Sequence, residues 1–96
     1  MVTLVVEHGI ADWDVWKPVF DDHAAVRVQH GCIREELFRS PDGKTIRNVM
    51  RWSDQASAEA FLADPSLGEA FARAGVVGHP QATFWSSVES NELKGD

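Results

Sequence analysis

The chain has 96 residues, 44% of them hydrophobic, with four tryptophans, five phenylalanines and no tyrosine; this describes one ordered globular domain and excludes a disordered segment. A net charge of -6 repels phosphate backbones and anionic lipid, which proteins grip with clustered Lys and Arg, so neither nucleic acid nor a membrane surface is an expected partner. The lone cysteine, Cys32, excludes an internal disulfide, no apolar run nears the roughly 18 residues of a membrane span, and MVTLVVEHG lacks a basic leader region, which together predict a cytoplasmic protein.

The first element, TLVVEH (3–8), is β-branched and stops at Gly9, which predicts a strand. Asp12 is placed to cap a helix, and Asp14 to interact with the positive end of its dipole. Pro18 has no N–H for the Asp14 carbonyl, so residues 12–17 are predicted as a separate turn leading into a main helix that runs to His30 and closes at Gly31. CIREELFRS (32–40) and TIRNVMRW (45–52) flank PDGK, whose Pro-Asp-Gly order predicts a β-hairpin. Ser53 is the expected cap of DQASAEAFLA; Asp64-Pro65 then breaks the helix and restarts it as PSLGEAFARA, up to Gly75. VVGHP is predicted as a loop and QATFWSSVE (81–89) as the last strand. Residues 1–90 form the expected single domain, and 91–96 a polar tail.

The element order is βαββαβ. Right-handed crossovers then give an α+β, ferredoxin-like fold: a four-stranded antiparallel sheet with both helices on one face and the first and third strands in the centre. The period of two assigns Leu4, Val6, His8, Ile33, Leu37, Ile46, Asn48, Met50, Trp52, Ala82, Phe84 and Val88 to the helix side. The other set mixes charges with Val5, Val49, Phe38 and Trp85. A second copy packed on that face would cover the two aromatics, so the sequence predicts a homodimer that closes through its sheets into an α+β barrel.

At ~100° per residue, Trp13, Trp16, Val19, Phe20, His23, Val26, Arg27 and His30 share one helical arc, while Asp14, Asp21 and Asp22 lie outside it. His23 and Arg27 therefore face the sheet, where His8, Asn48 and Ser86 project towards them and Glu35 shares a strand face with Ile33 and Leu37. A dry core must satisfy each such group or lose roughly 1–3 kcal/mol apiece, whereas a polar cavity avoids the loss. Rises of ~1.5 Å per helix residue and ~3.3 Å per strand residue put His23 about three strand residues back from His8, level with Asn48 on the neighbouring strand. The predicted pocket holds His23, Asn48, Arg27 and Ser86 midway, with Trp16, Trp52 and His8 at an aromatic end. Plainer roles compete: His23 as a core histidine bonded to a carbonyl, Arg27 paired with Glu35, Trp52 as packing.

No dinucleotide or phosphate-loop signature is present, and neither C-x-x-C nor H-E-x-x-H occurs. A metal site needs about three converging ligands, and His8 and His23 are the only inward candidates, so no metal is expected. Cys32 has no helix N-terminus beside it to activate a thiolate.

Three stretches, VEHGIADWDVWKPVFDDH, RNVMRWSDQASAEAF and AGVVGHP, make the chain resemble the dimeric α+β barrel superfamily and, within it, small proteins related to antibiotic-biosynthesis monooxygenases. In the cofactor-free oxygenases of aromatic polyketide pathways an Asn and a Trp spaced N-x-x-x-W on the third strand hold the oxygenated intermediate, and NVMRW places Asn48 and Trp52 at that spacing. The resemblance implies a flat, phenol-like substrate between sheet and helices and no cofactor. It also implies that a base, here His23, removes a substrate proton, the anion reduces O2 directly, and Asn48 donates to the developing oxyanion. An oxygenase role given to a Tyr has no counterpart here. Haem-degrading members ligate iron through a histidine on the second helix, and residues 54–74 contain none. The expected functions are, first, a cofactor-independent monooxygenase acting on an aromatic or quinol-like metabolite; second, an isomerase or cyclase using the same pocket for proton transfer; third, a non-enzymatic binding module.

Overall fold

In a computed structural model, which describes residues 1–95, the strands are β1 (Val2–Ile10), β2 (Cys32–Arg39), β3 (Thr45–Trp52) and β4 (Val76–Trp85). The helices are α1 (Trp13–Asp22), α2 (Ala24–Gln29), α3 (Gln55–Leu62) and α4 (Pro65–Ala74). The sheet order is β2-β3-β1-β4 with every neighbouring pair antiparallel, so the ferredoxin-like topology and its two central strands are as the sequence predicts. Alternation in β1 sends Leu4, Val6, His8 and Ile10 to the helix face, opposite Ile46, Asn48 and Met50 of β3.

Two apolar clusters fill the space under the helices. Leu4, Val6, Met50 and Trp52 pack with Ala58, Phe61 and Leu67 of α3 and α4, while Ile10 and Ile46 pack with Trp16 of α1 and Ala74 of α4. Leu4, Ile46, Met50 and Trp52 are fully buried, each contributing on the order of 1.5–3 kcal/mol by leaving water. Charges collect on the opposite sheet face, where Arg47 binds Glu7 at 2.6 Å, and Phe38 and Trp85 stand 48% and 59% exposed.

Several local expectations are corrected. Pro18 lies inside α1 instead of starting a new helix; it and Asp14 are both exposed, where water can satisfy the carbonyl that the proline leaves without a donor. The helix breaks later, at His23, where the Arg27 guanidinium donates to the Phe20 carbonyl at 3.1 Å, the acceptor that an unbroken helix would give to the Ala24 N–H. Asp54, not Ser53, caps α3, accepting from the Ser57 N–H at 2.7 Å. The register of β2 slips between Cys32 and Arg34, so Ile33 is an extra residue that leaves the helix face and is 58% exposed. VVGHP is the start of β4 and not a loop: β1 and β4 pair as Gly9–Val77 and Glu7–Gln81 around an irregularity over 78–80, and Pro80 is tolerated because β4 is an edge strand. The strand correspondingly ends at Trp85, Val88 is 97% exposed instead of facing the core, and the last residue of the predicted tail, Asp96, lies outside the described residues.

β1 does not stop at Gly9 but runs on to Ile10, pairing through Gly9 with Thr45; the helix caps at Asp12, Asp64 and Gly75 are those predicted. Asp12 caps α1 through the Asp14 N–H at 2.9 Å, Asp64 caps α4 with Pro65 at its first position, and Gly75 ends α4 at φ 72°, a left-handed conformation that glycine adopts without strain. Leu4→Ala should cost about 2–5 kcal/mol in chemical denaturation, whereas Ile33→Thr, at the bulge, should stay within about 0.5 kcal/mol of the wild type.

Candidate functional site

Between the sheet and the helices lies a cavity that His8 and Asn48 line from the sheet, Trp16, Phe20, His23 and Arg27 from α1, α2 and the break between them, and Phe61 and Phe71 from α3 and α4. Its volume is about 50 Å³. A single water needs roughly 10–15 Å³, so the space suits a few waters, and a ring-sized ligand requires the walls to part.

The break after α1 turns the His23 ring inward, leaving the residue 6% exposed. Its Nε2 lies 2.9 Å from Ser66 Oγ. The Ser66 hydroxyl itself donates to Asp64 Oδ1 at 2.7 Å. The Asp64 carboxyl also accepts the Ser66 backbone N–H at 2.9 Å and meets His30 Nε2 at 2.8 Å. Hydrogen bonds from His30 and then from the Ser66 side chain and backbone hold its pKa down at about 2, so near neutrality it is an ionised acceptor. Burial, then the Arg27 charge, push His23 below the ordinary histidine value, with Asp64 acting in the opposite sense.

Arg27, 4% exposed, is held on three sides. Its Nε is 2.8 Å from Glu35 Oε1, an ion-pair contact without a hydrogen bond, its Nη2 donates to Glu35 Oε2 at 3.1 Å, and its guanidinium carbon sits 3.8 Å from the centroid of the Phe20 ring. Glu35 Oε1 also accepts from Asn48 Nδ2 at 3.2 Å. An ionised carboxylate can only accept, which fixes the orientation of the amide and leaves Asn48 Oδ1 buried without a partner. The pairing of Arg27 with Glu35 named from sequence is therefore realised together with its place at the cavity.

His8 is the second buried imidazole. Its Nδ1 donates to the Gly9 carbonyl at 3.1 Å, its ring packs against Trp16 and Phe71 at centroid distances of 5.7 and 5.4 Å, and burial lowers its pKa. Burial raises that of the Cys32 thiol, with Glu35 adding to it, so the thiol stays protonated. Among the described residues no group of three His, Cys, Asp or Glu side chains converges on a metal position.

Five of the seven residues named from sequence, His8, Trp16, His23, Arg27 and Asn48, meet at this cavity. Trp52 and Ser86 do not. The register pairs Trp52 with Val2 and His8 with Ile46, so antiparallel pairing puts Trp52 at the far end of β1 from His8; it packs on Phe61 at 5.3 Å, its Nε1 unpartnered. Ser86 is exposed beyond the end of β4. Ser66 and Asp64 went unnoticed in the sequence because D-P-S reads there as a helix start, which it also is; nothing local tells that α4 begins beside His23.

The sequence model described as antibiotic biosynthesis monooxygenase matches residues 16–73. The chain belongs to that family. No curated protein matches the sequence. Among solved structures the chain is similar to SnoaB, a cofactor-independent oxygenase from Streptomyces nogalater, with 19% identity, 93% of this chain and 94% of that chain covered, and a TM-score of 0.76. It is also similar to the monooxygenase from the gene ActVA-Orf6 of Streptomyces coelicolor, solved with the ligand Nanaomycin D, at 17% identity, 97% and 92% coverage and a TM-score of 0.72. At these identities the likeness is one of fold.

The buried histidines make stability depend on pH. Above the ordinary histidine value of 6.5 the folded and unfolded states both carry neutral rings; below it the unfolded chain takes up protons that folded His8 and His23 resist. Stability should therefore fall with pH from about 6.5 down to their lowered values. In denaturant titrations at a series of pH values, His23→Gln should flatten that slope.

Proposed function

We propose that this family member is a cytoplasmic, homodimeric small-molecule enzyme, a cofactor-independent monooxygenase acting on an aromatic or quinol-like metabolite in the cavity between sheet and helices. The observation that carries the reading is His23: a neutral imidazole in an apolar cavity, with one nitrogen bound to Ser66 and no partner for Nδ1 among the described residues. A ring nitrogen of this kind takes a proton from a phenolic hydroxyl. The aromatic walls of Trp16, Phe20 and Phe71 suit a flat ring. Asn48, expected from the resemblance to donate to an oxyanion, instead has its Nδ2 on Glu35, and its unpartnered oxygen calls for a donor, which a second hydroxyl on the same ring supplies. The resulting anion gives electrons to O2, a ring carbon gains one oxygen atom, the other leaves as water, and a quinone remains.

A second reading has its own observation. His8, with Nδ1 committed to a carbonyl, offers another neutral nitrogen to the same cavity, and two bases over one substrate suit an isomerase or cyclase that moves protons without O2. Oxygen uptake on a panel of hydroquinones separates the two. We expect uptake in air that stops under argon and falls about 10²- to 10⁴-fold in kcat/KM in His23→Gln. Product formation that continues under argon would exclude the oxygenase and support the isomerase.

The homodimer is proposed from the outer sheet face, where Phe38 and Trp85 are exposed beside Val5, Val49 and Thr83. Trp85→Glu would place a carboxylate in that interface. Sedimentation should show the wild type at twice the chain mass and the variant at the chain mass, its helices still folded.

A further inference from the structure

Ser66 has one hydroxyl hydrogen, and that hydrogen is committed. It points to Asp64 Oδ1 at 2.7 Å, an oxygen that also accepts the Ser66 backbone N–H and belongs to a carboxylate ionised near neutrality. The Ser66 oxygen is left with lone pairs alone, so the 2.9 Å contact with His23 Nε2 is a hydrogen bond that the imidazole must donate. The neutral ring is then protonated at Nε2 and bare at Nδ1.

We propose that Ser66 and Asp64 are positioning residues for His23: they hold its ring in the Nε2–H tautomer, present Nδ1 to the cavity as the proton acceptor, and set the Asp64 negative charge to stabilise the imidazolium that forms. The inference rests on the reading of His23 as the base and adds the machinery that makes it one. In the proton transfer, the ligand O–H bond breaks and an Nδ1–H bond forms. The Nε2–H bond stays intact, donating to Ser66, and no other group changes its protonation.

The placement follows from the chain. Asp64 caps α4, and the capping carboxylate accepts from the residue two positions on, the same Ser66 whose hydroxyl reaches His23. The helix start that fixes Asp64 and Ser66 in space therefore also fixes the imidazole. His30, across the carboxylate at 2.8 Å, holds the other oxygen. The charges acting on His23 are Asp64, which favours the imidazolium, and Arg27, Arg73 and His30, which oppose it; His8, from β1, shares the cavity. With three groups against it, the carboxylate is the one charge among them that favours proton uptake.

The test is long-range ¹H–¹⁵N correlation NMR of the histidine rings in the intact protein, titrated through the histidine range and without ligand. In the wild type we expect His23 Nδ1 at the shift of an unprotonated nitrogen and Nε2 at that of a protonated one. Ser66→Ala should give a mixture of tautomers, and Ser66→Thr, which restores the hydroxyl, should return the single form. Asp64→Asn keeps a good helix cap and should lower the titration midpoint of His23. A wild-type ring protonated at Nδ1 overturns the proposal without reference to any variant, as does a tautomer ratio unmoved by Ser66→Ala or a midpoint unmoved by Asp64→Asn. The expected tautomer with a blank oxygen-uptake panel would retire the oxygenase reading alone. The wrong tautomer with uptake intact would retire this one alone.

Discussion

A guanidinium with 5% of its side chain exposed has to be neutralised, and the arrangement that neutralises Arg27 organises the rest of the site. Its fork reaches Glu35 on β2, its remaining terminal nitrogen takes the Phe20 carbonyl, and Phe20 itself covers the cation. Stripping a fully buried pair of one partner costs roughly 3–5 kcal/mol; Glu35 keeps 31% of its side chain exposed, so the cost here is smaller. The geometric consequence is larger than the energetic one. The side chain takes the Phe20 carbonyl where α1 and α2 fail to join, and the residue at that break is His23. The same carboxylate takes the Asn48 N–H and so decides which end of that amide is left without a partner.

Electrostatics and packing agree on what the cavity can hold. The one cation that lines it is matched by Glu35, and both imidazoles are pushed towards neutrality by burial, so no free positive charge waits for an anionic ligand. Buried without a hydrogen-bond partner at the cavity are the Asn48 oxygen, an acceptor, and the Arg27 Nε, which touches Glu35 at 2.8 Å as an ion pair only, and both lie between aromatic walls. In the proposed reading a neutral planar molecule with donor hydroxyls answers the Asn48 oxygen and the aromatic walls, while the charge of Arg27 is already matched by Glu35. Because the space as it stands suits only a few waters, accepting a ring means displacing them and moving Phe20 or Phe71, side chains only half-buried at its edge.

The fold was legible wherever a pattern is local. Alternation in β1 and β3, the Pro-Asp-Gly turn, the Asp64-Pro65 restart and the Gly75 stop all depend on residues close in sequence, and each appears where predicted. The misreadings share a cause: a single residue whose effect is set by something distant. Whether Pro18 ends a helix depends on whether water reaches the carbonyl it strands; whether Ile33 faces in depends on a register slip against β3; and Gly78–Pro80 reads as a loop unless β1 is there to pair on either side. At the site, the helical arc located His23 and Arg27 on the inner face, and strand periodicity located His8 and Asn48. Trp52 was misplaced because level along the sheet was judged without reversing β3 against β1. Ser66 and Asp64 were missed because a capping motif carries the same letters whether or not a buried imidazole lies beside it.

The two histidines are fixed in opposite senses, and this bears on how one scaffold can serve more than one chemistry. His8 donates from Nδ1 to a backbone carbonyl, a partner that no side-chain substitution removes, while His23, in the tautomer proposed above, donates from Nε2 to a hydroxyl backed by a carboxylate. Backbone anchoring alone leaves the imidazolium without a counter-charge, so the first ring is suited to accept a hydrogen bond and the second to take a proton. In a chain without tyrosine, a phenolic side chain is not there to share either role. In the proposed reading the division of labour between a base and an orienting acceptor falls to these two rings, and it is set by what stands behind each of them, a peptide carbonyl in one case and Ser66 with Asp64 in the other.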